Sequence, residues 1–371
     1  TGILTLSLMV FAVLKFFKRS AWISGGMLFF MACIFPVLHL VAYNSALIYE
    51  RFTYVASIGI FMAVVNADEV FPSWKKWREK ILIPLLIVFL FLSYSHIPVW
   101  KNPVTLWSDV IEKNPRAEQA FNNRGQYYDG IGEADKSLAD FNASIALKPN
   151  KPDAWNNRCV YYFRKSDWKN ALEANDKVLA IEPKSPDGLS NRAGIYFNQD
   201  MLDSAYKYYK QFSELAPENP VGYYNTGAVF FKKKNYRLAA DEFLKAIHYS
   251  PGYQRALSYL SMAYAHLNKY DSAEYYVQTC DRLDASFGAR RSLSMEYIAI
   301  GNLAFSSGDS KRTMDAYQQA AKVDVNNAEA FYDLGGIYLM QKDVAKAREC
   351  WKQTIKLNPQ HQEALGWLNK T

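Results

Sequence analysis

The sequence lacks the short motifs that mark the common classes of soluble enzyme. It contains no GxxxxGK[ST] phosphate-binding loop, no GxSxG nucleophile turn, no HExxH zinc motif and no GxGxxG loop after a predicted strand. Each motif supplies groups that its chemistry requires at a fixed spacing. Their absence therefore argues against P-loop, serine-hydrolase, zincin and dinucleotide-binding activities.

Cysteine and histidine are also scarce, with four and five residues among 371. No pair of cysteines has metal-ligand spacing, and the histidines are scattered along the chain. Cys33 lies in an apolar segment, whereas Cys159 and Cys280 occupy positions where a helical repeat has small packing residues. We interpret the cysteines as packing residues, and the sequence predicts neither a metal site nor a disulfide.

Proline, in contrast, recurs at a fixed interval of 34 residues, at Pro115, Pro149, Pro183, Pro217 and Pro251. Around each proline the same order of bulky, small and aromatic residues returns. A period of this length is typical of a helix–turn–helix array, in which the small residue lets helices A and B approach closely and the proline ends helix B. The repeated part is therefore predicted to be an α-solenoid.

The repeated pattern resembles the tetratricopeptide repeat (TPR). Seven repeats are predicted to begin at Glu118, Pro152, Pro186, Pro220, Gln254, Ser294 and Ala328. The predicted organisation is a junction with a half-repeat at 101–117, repeats one to five at 118–287, an insertion at 288–293, repeats six and seven at 294–361, and a capping helix at 362–371. The insertion is expected to lengthen a loop or a helix end.

The first hundred residues are apolar, with charges confined to gaps between four hydrophobic runs. We interpret these runs as four transmembrane helices, at Gly2–Phe17, Ala21–Tyr43, Phe52–Ala67 and Ile81–Trp100. The alternative, a buried soluble helical domain, would require amphipathic stripes, and Ile81–Leu92 has almost no polar face. The predicted fold class is all-α, with four transmembrane helices followed by the TPR superhelix.

Basic residues indicate how the chain is oriented. Lys15, Lys18 and Arg19 follow the first run, and a second basic group at residues 75–80 precedes the fourth. Both gaps are expected to be cytoplasmic, which places the repeats on the other side of the membrane. The repeats would be periplasmic if the protein sits in a bacterial inner (cytoplasmic) membrane, or lumenal if it sits in a eukaryotic ER membrane.

The distribution of charge argues against nucleic acid as a partner. Of the net charge of +7, the first hundred residues contribute +4 and the remaining 271 contribute +3. A nucleic-acid-binding array would carry its basic charge along the repeats. Because the chain starts at Thr1 within a hydrophobic run, we interpret it as the C-terminal part of a longer membrane protein.

Glu50 and Arg51 lie between the second and third runs, at the expected membrane boundary. An arginine there can hold a phosphate through two hydrogen bonds, and a glutamate can orient it. Charged residues at the end of a membrane span also occur simply to solvate the helix end, and residue chemistry alone favours that alternative. His39 is a weaker neighbouring candidate.

The stretch from Tyr49 to Gly59, which contains Glu50 and Arg51, resembles the ERYLYLPS-x-G signature of transmembrane-and-TPR O-mannosyltransferases and their bacterial relatives. Within this stretch, Val55 and Ala56 replace the leucine and proline that are usual in the signature. Residues 99–107 resemble the junction that leads into the repeats of those proteins. The resemblance implies a GT-C glycosyltransferase using a lipid-phosphate-linked sugar, with Glu50, Arg51 and His39 on the lipid-phosphate side. The family's catalytic acidic loop would lie upstream of Thr1, so no catalytic residue is assigned.

A row of asparagines marks the candidate partner site. Position six of helix A is asparagine in four consecutive repeats, at Asn123, Asn157, Asn191 and Asn225. An asparagine side chain both donates and accepts hydrogen bonds, so such a row suits the backbone of an extended peptide, as in the similar row of O-GlcNAc transferases. The same residues could instead form hydrogen bonds between helices. Further peptide-binding candidates are Asn122, Asn156 and Tyr224.

Three functions remain open from the sequence. In the first, the chain is the C-terminal part of a protein O-glycosyltransferase that uses a lipid-linked sugar, and its repeats bind protein acceptors. Alternatively, it is a membrane-tethered TPR scaffold without chemistry. A polymerase or ligase of surface polysaccharide is a weaker third alternative. Binding of a protein or peptide is predicted from the residues, whereas sugar transfer is implied by the resemblance.

Overall fold

The structure is a computed structural model that describes residues 11, 15, 20–34, 58 and 60–371. Every regular element within these ranges is helical, which confirms the all-α prediction. The chain divides into two compact units, Thr1–Leu106 and Trp107–Thr371.

The first unit contains helices α1 (Ala21–Ile34) and α2 (Trp74–His96). Helix α2 continues as a short 3-10 turn to Trp100. The indole nitrogen of Trp74 donates to the carbonyl oxygen of Val64 at 2.9 Å, so the start of α2 is held against the preceding helical residues. Most described side chains of α2 are exposed, including its apolar ones.

By length and composition, one helix among the described residues can cross a membrane, at Trp74–Trp100. The prediction of four such helices is therefore not supported. Helix α1 covers only 14 residues of the run predicted as the second span. Most of the first predicted span, and the first part of the third, lie outside the described residues.

Helix α3 (Pro103–Lys113) begins with a reciprocal cap. The backbone nitrogen of Thr105 donates to Asn102 Oδ1 at 3.0 Å, and the backbone nitrogen of Asn102 donates to Thr105 Oγ1 at 3.2 Å. These two bonds satisfy backbone donors that the helix itself leaves unpaired. The Asn-Pro-Val-Thr sequence of the junction thus has a local structural role.

Seven antiparallel helix pairs follow, each with a helix A and a helix B. Their bounds are α4 (Glu118–Gly130) and α5 (Ala134–Leu147), α6 (Pro152–Arg164) and α7 (Trp168–Ile181), α8 (Pro186–Asn198) and α9 (Leu202–Leu215), α10 (Pro220–Lys232) and α11 (Tyr236–Tyr249), α12 (Gln254–His266) and α13 (Tyr270–Leu283), α14 (Ala289–Ser306) and α15 (Ser310–Val323), and α16 (Ala328–Met340) and α17 (Val344–Leu357). Helix α18 (Gln362–Lys370) follows the last pair. An all-α solenoid is thus confirmed.

The turn between helices A and B uses one left-handed residue at repeat position fifteen. In repeats one and six this residue is glycine, Gly132 with φ 81° and Gly308 with φ 77°. In the other five repeats a residue with a side chain adopts the same conformation: Ser166, Asp200, Lys234, Asn268 and Lys342. Left-handed backbone is strained for such residues, so helix packing overrides local preference here.

In four of the seven repeats, close packing within a pair depends on glycine at repeat position eight. A Cβ atom added to Gly227 would lie 2.6 Å from Phe243 Cε1, and one added to Gly335 would lie 2.5 Å from Trp351 Nε1. The aromatic side chain from helix B therefore occupies the space that a larger residue on helix A would fill. Phe243 and Trp351 are almost completely buried as a result.

The joint between repeats five and six departs from the regular pattern. Helix α14 has 18 residues and begins at Ala289, before the predicted repeat start at Ser294. The insertion at 288–293 therefore extends a helix end and forms no separate loop. Ala289 and Leu293 are fully buried, so these apolar side chains stabilise the additional helical residues against the fifth pair.

Candidate peptide-binding face

The A helices of successive repeats contact one another, joining repeats one to three and repeats four to seven. Repeat positions two, six, nine and thirteen lie on one side of these helices, and we call them the helix-A face. The four predicted asparagines stand at position six, and all four are half-buried. The face therefore brings them into one row along the array.

Two asparagines of the row form hydrogen bonds to the preceding repeat. Asn157 Nδ2 donates to Asn122 Oδ1 at 2.8 Å, and Asn191 Nδ2 donates to Asn156 Oδ1 at 2.7 Å. Asn122 and Asn156, which were predicted as separate peptide contacts, thus act as acceptors in a brace between repeats. The side-chain oxygens (Oδ1) of Asn157 and Asn191 accept no hydrogen bond from the part of the chain that is described.

The two ends of the row differ. Asn123 Oδ1 accepts a hydrogen bond from Gln119 Nε2 at 3.0 Å within the same helix. Asn225 forms no side-chain hydrogen bond with any described residue. At the position of Asn122 and Asn156 the third repeat has Ser190, whose shorter side chain does not bond to Asn225. Asn225 therefore keeps its full hydrogen-bonding capacity.

The arginines that follow the row are occupied within the fold. Arg124 donates two hydrogen bonds to the carboxylate of Asp140, at 2.7 and 2.8 Å, and a third to Ser108 Oγ at 2.9 Å. The hydrogen bond and charge of Asp140 raise the pKa of Arg124. Arg192 donates to Asn175 Oδ1 at 2.6 Å. These guanidinium groups fix helix A against helix B and are not offered to an anionic ligand.

Tyr224 lies in an aromatic cluster between repeats four and five. Its ring centroid is 5.3 Å from that of Tyr253 and 5.7 Å from that of Tyr259. Burial raises the pKa of its hydroxyl. The sequence analysis predicted Tyr224 as a peptide contact. In the structure its ring packs between two repeats, and its role as a peptide contact stays a prediction.

In the last two repeats the helix-A face carries exposed apolar side chains beside polar ones such as Glu329 and Asp333. Met295 of α14 is 58% exposed and Met340 of α16 is 67% exposed, and Phe305, at position twelve beside the face, is 50% exposed. Sequence reasoning missed Met295 and Met340, although both stand at face positions of the repeat. The face thus gains exposed apolar side chains towards its C-terminal end.

A second cluster that the sequence did not predict joins repeats four to six. The rings of Tyr236 and His266 stack with centroids 3.7 Å apart. His266 Nε2 lies 2.6 Å from Glu296 Oε1, and Arg312 donates to the His266 carbonyl oxygen at 3.3 Å. Burial raises the pKa of Tyr236. The cluster ties the lengthened helix α14 to its neighbours.

Glu50, Arg51 and His39 all lie outside the described residues, so their predicted lipid-phosphate role stays a prediction. Among the residues that are described, no group of three or more His, Cys, Asp or Glu side chains could hold a metal ion. The buried thiols of Cys159 and Cys280 have pKa values raised by burial to about 12 and about 11. They are therefore unreactive packing residues at neutral pH.

Models of the tetratricopeptide repeat match residues 122–186, 224–285 and 328–361 of this chain. These three stretches are tetratricopeptide repeats. No curated protein matches the sequence. The match confirms the family predicted for the repeats, and TPR proteins generally bind protein partners. It does not extend to the first hundred residues, so the resemblance to glycosyltransferases receives no support from these comparisons.

Three solved structures are similar to this chain at low identity. The C-terminal part of a TPR repeat-containing protein from Cytophaga hutchinsonii is 18% identical, with a TM-score of 0.49 and coverage of 66% of this chain and 98% of that one. PilF from Pseudomonas aeruginosa is 18% identical, with a TM-score of 0.43 and coverage of 69% and 98%. A TPR protein from Parabacteroides merdae is 18% identical, with a TM-score of 0.44 and coverage of 68% and 97%.

Proposed function

We propose that the TPR array binds a segment of a partner protein in extended form on its helix-A face. The observation that carries this proposal is the row of half-buried asparagines. Among the described residues, Asn225 has no side-chain hydrogen-bond partner, and the side-chain oxygens of Asn157 and Asn191 accept no hydrogen bond. Amide side chains recognise backbone groups, which every peptide offers irrespective of its sequence.

The asparagine row and the exposed apolar side chains of the last two repeats suggest two kinds of contact. The asparagines of repeats one to four would hold peptide backbone, and Met295, Phe305 and Met340 would hold an apolar side chain of the same segment. Flexible methionine side chains adapt to ligands of different shape. A protein segment with a polar stretch beside a hydrophobic anchor is therefore the partner that fits this face best.

Binding on this face is tested by selection and crosslinking. A random dodecapeptide library is panned on the purified full chain, and a photoreactive residue is introduced at Asp187 on helix A or at Lys177 on helix B, both exposed. The selected peptide should crosslink at Asp187 and not at Lys177. Crosslinking at Lys177 alone would place the binding site on the opposite helices and contradict the proposal.

Membrane anchoring of the chain is the second part of the proposal. Helix α2 supports it, since residues 81–92 carry no charge and their described side chains lie mostly exposed. Lys75, Lys76 and Lys80 at one end, and Tyr94 and Trp100 at the other, are residue types that sit at membrane interfaces. With the basic end in the cytoplasm, the repeats would face the extracytoplasmic side.

Sugar transfer from a lipid-phosphate-linked donor remains a hypothesis that rests on the resemblance around Glu50 and Arg51. Its test is the change Arg51→Ala in the complete protein, which should abolish transfer while membrane insertion and abundance stay unchanged. Arg51→Lys keeps the charge and loses the planar fork, so it should restore only part of the activity. Wild-type transfer by Arg51→Ala would leave the pair as residues that solvate a helix end.

A further inference from the structure

Asp333 occupies, in repeat seven, the position that asparagine occupies in repeats one to four. It stands at position six of α16 and is half-buried. Its carboxylate forms no hydrogen bond or ion pair with any described residue. The segment between α17 and α18 packs against this end of the face: the ring centroids of His361 and Tyr332 lie 4.6 Å apart.

The groups around Asp333 oppose a negative charge at this position. Burial, the largest cause, and the charge of Glu329 raise the pKa of Asp333 to about 6, although His361 acts in the other direction. His361 is itself held between carboxylates, 3.6 Å from Glu329 and 3.3 Å from Glu363. Tyr317 faces Asp333 from α15, and burial together with that carboxylate raises the pKa of its hydroxyl to about 12.

A neutral carboxylic acid resembles a carboxamide in shape and in hydrogen bonding. It offers one O–H donor and one carbonyl acceptor, whereas the ionised form only accepts. We propose that Asp333 is a further member of the asparagine row and binds the backbone of the partner peptide as a neutral carboxylic acid. This inference rests on the proposed function of the helix-A face, and it makes binding tighter under mildly acidic conditions.

The alternative is an ionised Asp333 that pairs with a lysine or arginine side chain of the partner. The two possibilities predict opposite responses to pH, because the first needs the proton and the second needs it removed. Asp333 forms no ion pair with any described residue, and the negative charge of Glu329 lies close to it. Both observations favour the neutral form.

The experiment uses the full chain and a fluorescein-labelled dodecapeptide without acidic, basic or histidine side chains, selected on the chain from a random library at about pH 5. Anisotropy titrations give its Kd at about pH 5 and about pH 7.5. Loss of one hydrogen bond should weaken binding to the unaltered chain about fivefold over this range. Asp333→Asn should bind equally at both pH values.

Asp241→Asn is the matched control, because it makes the same change at an exposed position of helix B in repeat four, outside the helix-A face. This variant should keep the pH dependence of the unaltered chain. Equal pH dependence in Asp333→Asn, or binding that strengthens as the pH rises, would overturn the role of Asp333 and leave peptide binding in place. Failure to select any peptide at either pH would overturn the proposed function and this inference with it.

Discussion

Asn157 Nδ2 donates to Asn122 Oδ1 at 2.8 Å, and this bond joins helix A of the second repeat to helix A of the first. Asn191 and Asn156 repeat the arrangement one unit later. An amide has a second donor hydrogen and two acceptor lone pairs, so one bond leaves capacity for a ligand. The row therefore braces the array in two repeats and stays open at Asn225.

The brace predicts that two asparagines at the same repeat position differ in their effect on stability. Asn157→Ala removes a hydrogen bond between repeats and should lower the free energy of unfolding by about 1 kcal/mol. Asn225→Ala removes no such bond and should change it by less than about 0.5 kcal/mol. Urea unfolding of the full chain, followed by circular dichroism, checks this difference. An equal loss in both variants would contradict the assigned roles.

Two adjacent glycines of α16 provide a test of the packing within a repeat. A Cβ atom at Gly335 would lie 2.5 Å from Trp351 Nε1, whereas a Cβ atom at Gly336 would have nothing within 4 Å. Gly335→Ala should therefore destabilise the chain by about 1–3 kcal/mol through overpacking. Gly336→Ala should stabilise it by about 0.5–1 kcal/mol, since alanine favours the helix. If both variants shift the melting temperature in the same direction, Trp351 does not restrict the size of the side chain at position 335.

The raised pKa of Asp333, about 6 against an ordinary value of 3.8, predicts a pH dependence of stability. The folded state binds this proton more tightly than the unfolded state. The stability that protonated Asp333 contributes is therefore fully present below about pH 4 and is lost as the pH rises through about 6. Asp333→Asn should therefore be more stable than the unaltered chain near pH 7.5, by about 1–2 kcal/mol after solvent screening. The difference should shrink towards pH 4, and a constant difference in unfolding midpoints across this range would contradict it.

The proposed orientation predicts that Lys76→Cys and Lys184→Cys are labelled from opposite sides of the membrane. A membrane-impermeant thiol reagent applied to intact cells should label Lys184→Cys and not Lys76→Cys. Both variants carry Cys350→Ser, because Cys350 is only half-buried, whereas background from the buried Cys159 and Cys280 should be low. Labelling of Lys76→Cys alone would invert the orientation, and labelling of both would show that α2 does not separate them.

The regular spacing of prolines was sufficient to predict the helix pairs. The A helices of six repeats begin at the residues expected from the pattern, and proline stands in the first turn of α6, α8 and α10, where its missing N–H is tolerated. The sixth repeat differs because Leu293 adds buried apolar surface in helical register, which a period count does not detect.

The contacts of the candidate site were harder to predict than its positions. The asparagine row is visible in the sequence, but its bonds to Asn122 and Asn156 depend on the offset between neighbouring helices. That offset arises from packing of whole repeats and has no local signature. The environment of Asp333 likewise depends on His361, 28 residues later in the chain, which folds back over α16.

The measurement that tests the central claim most directly is the affinity of Asn225→Ala for the selected dodecapeptide. Asn225 has no structural hydrogen bond to lose, so a change in binding would report on recognition alone. Anisotropy should show binding about fivefold weaker than that of the unaltered chain. Asn326→Ala, at an exposed loop position, should bind normally. Unchanged affinity of Asn225→Ala, in a variant that folds normally, would show that the asparagine row does not bind the peptide.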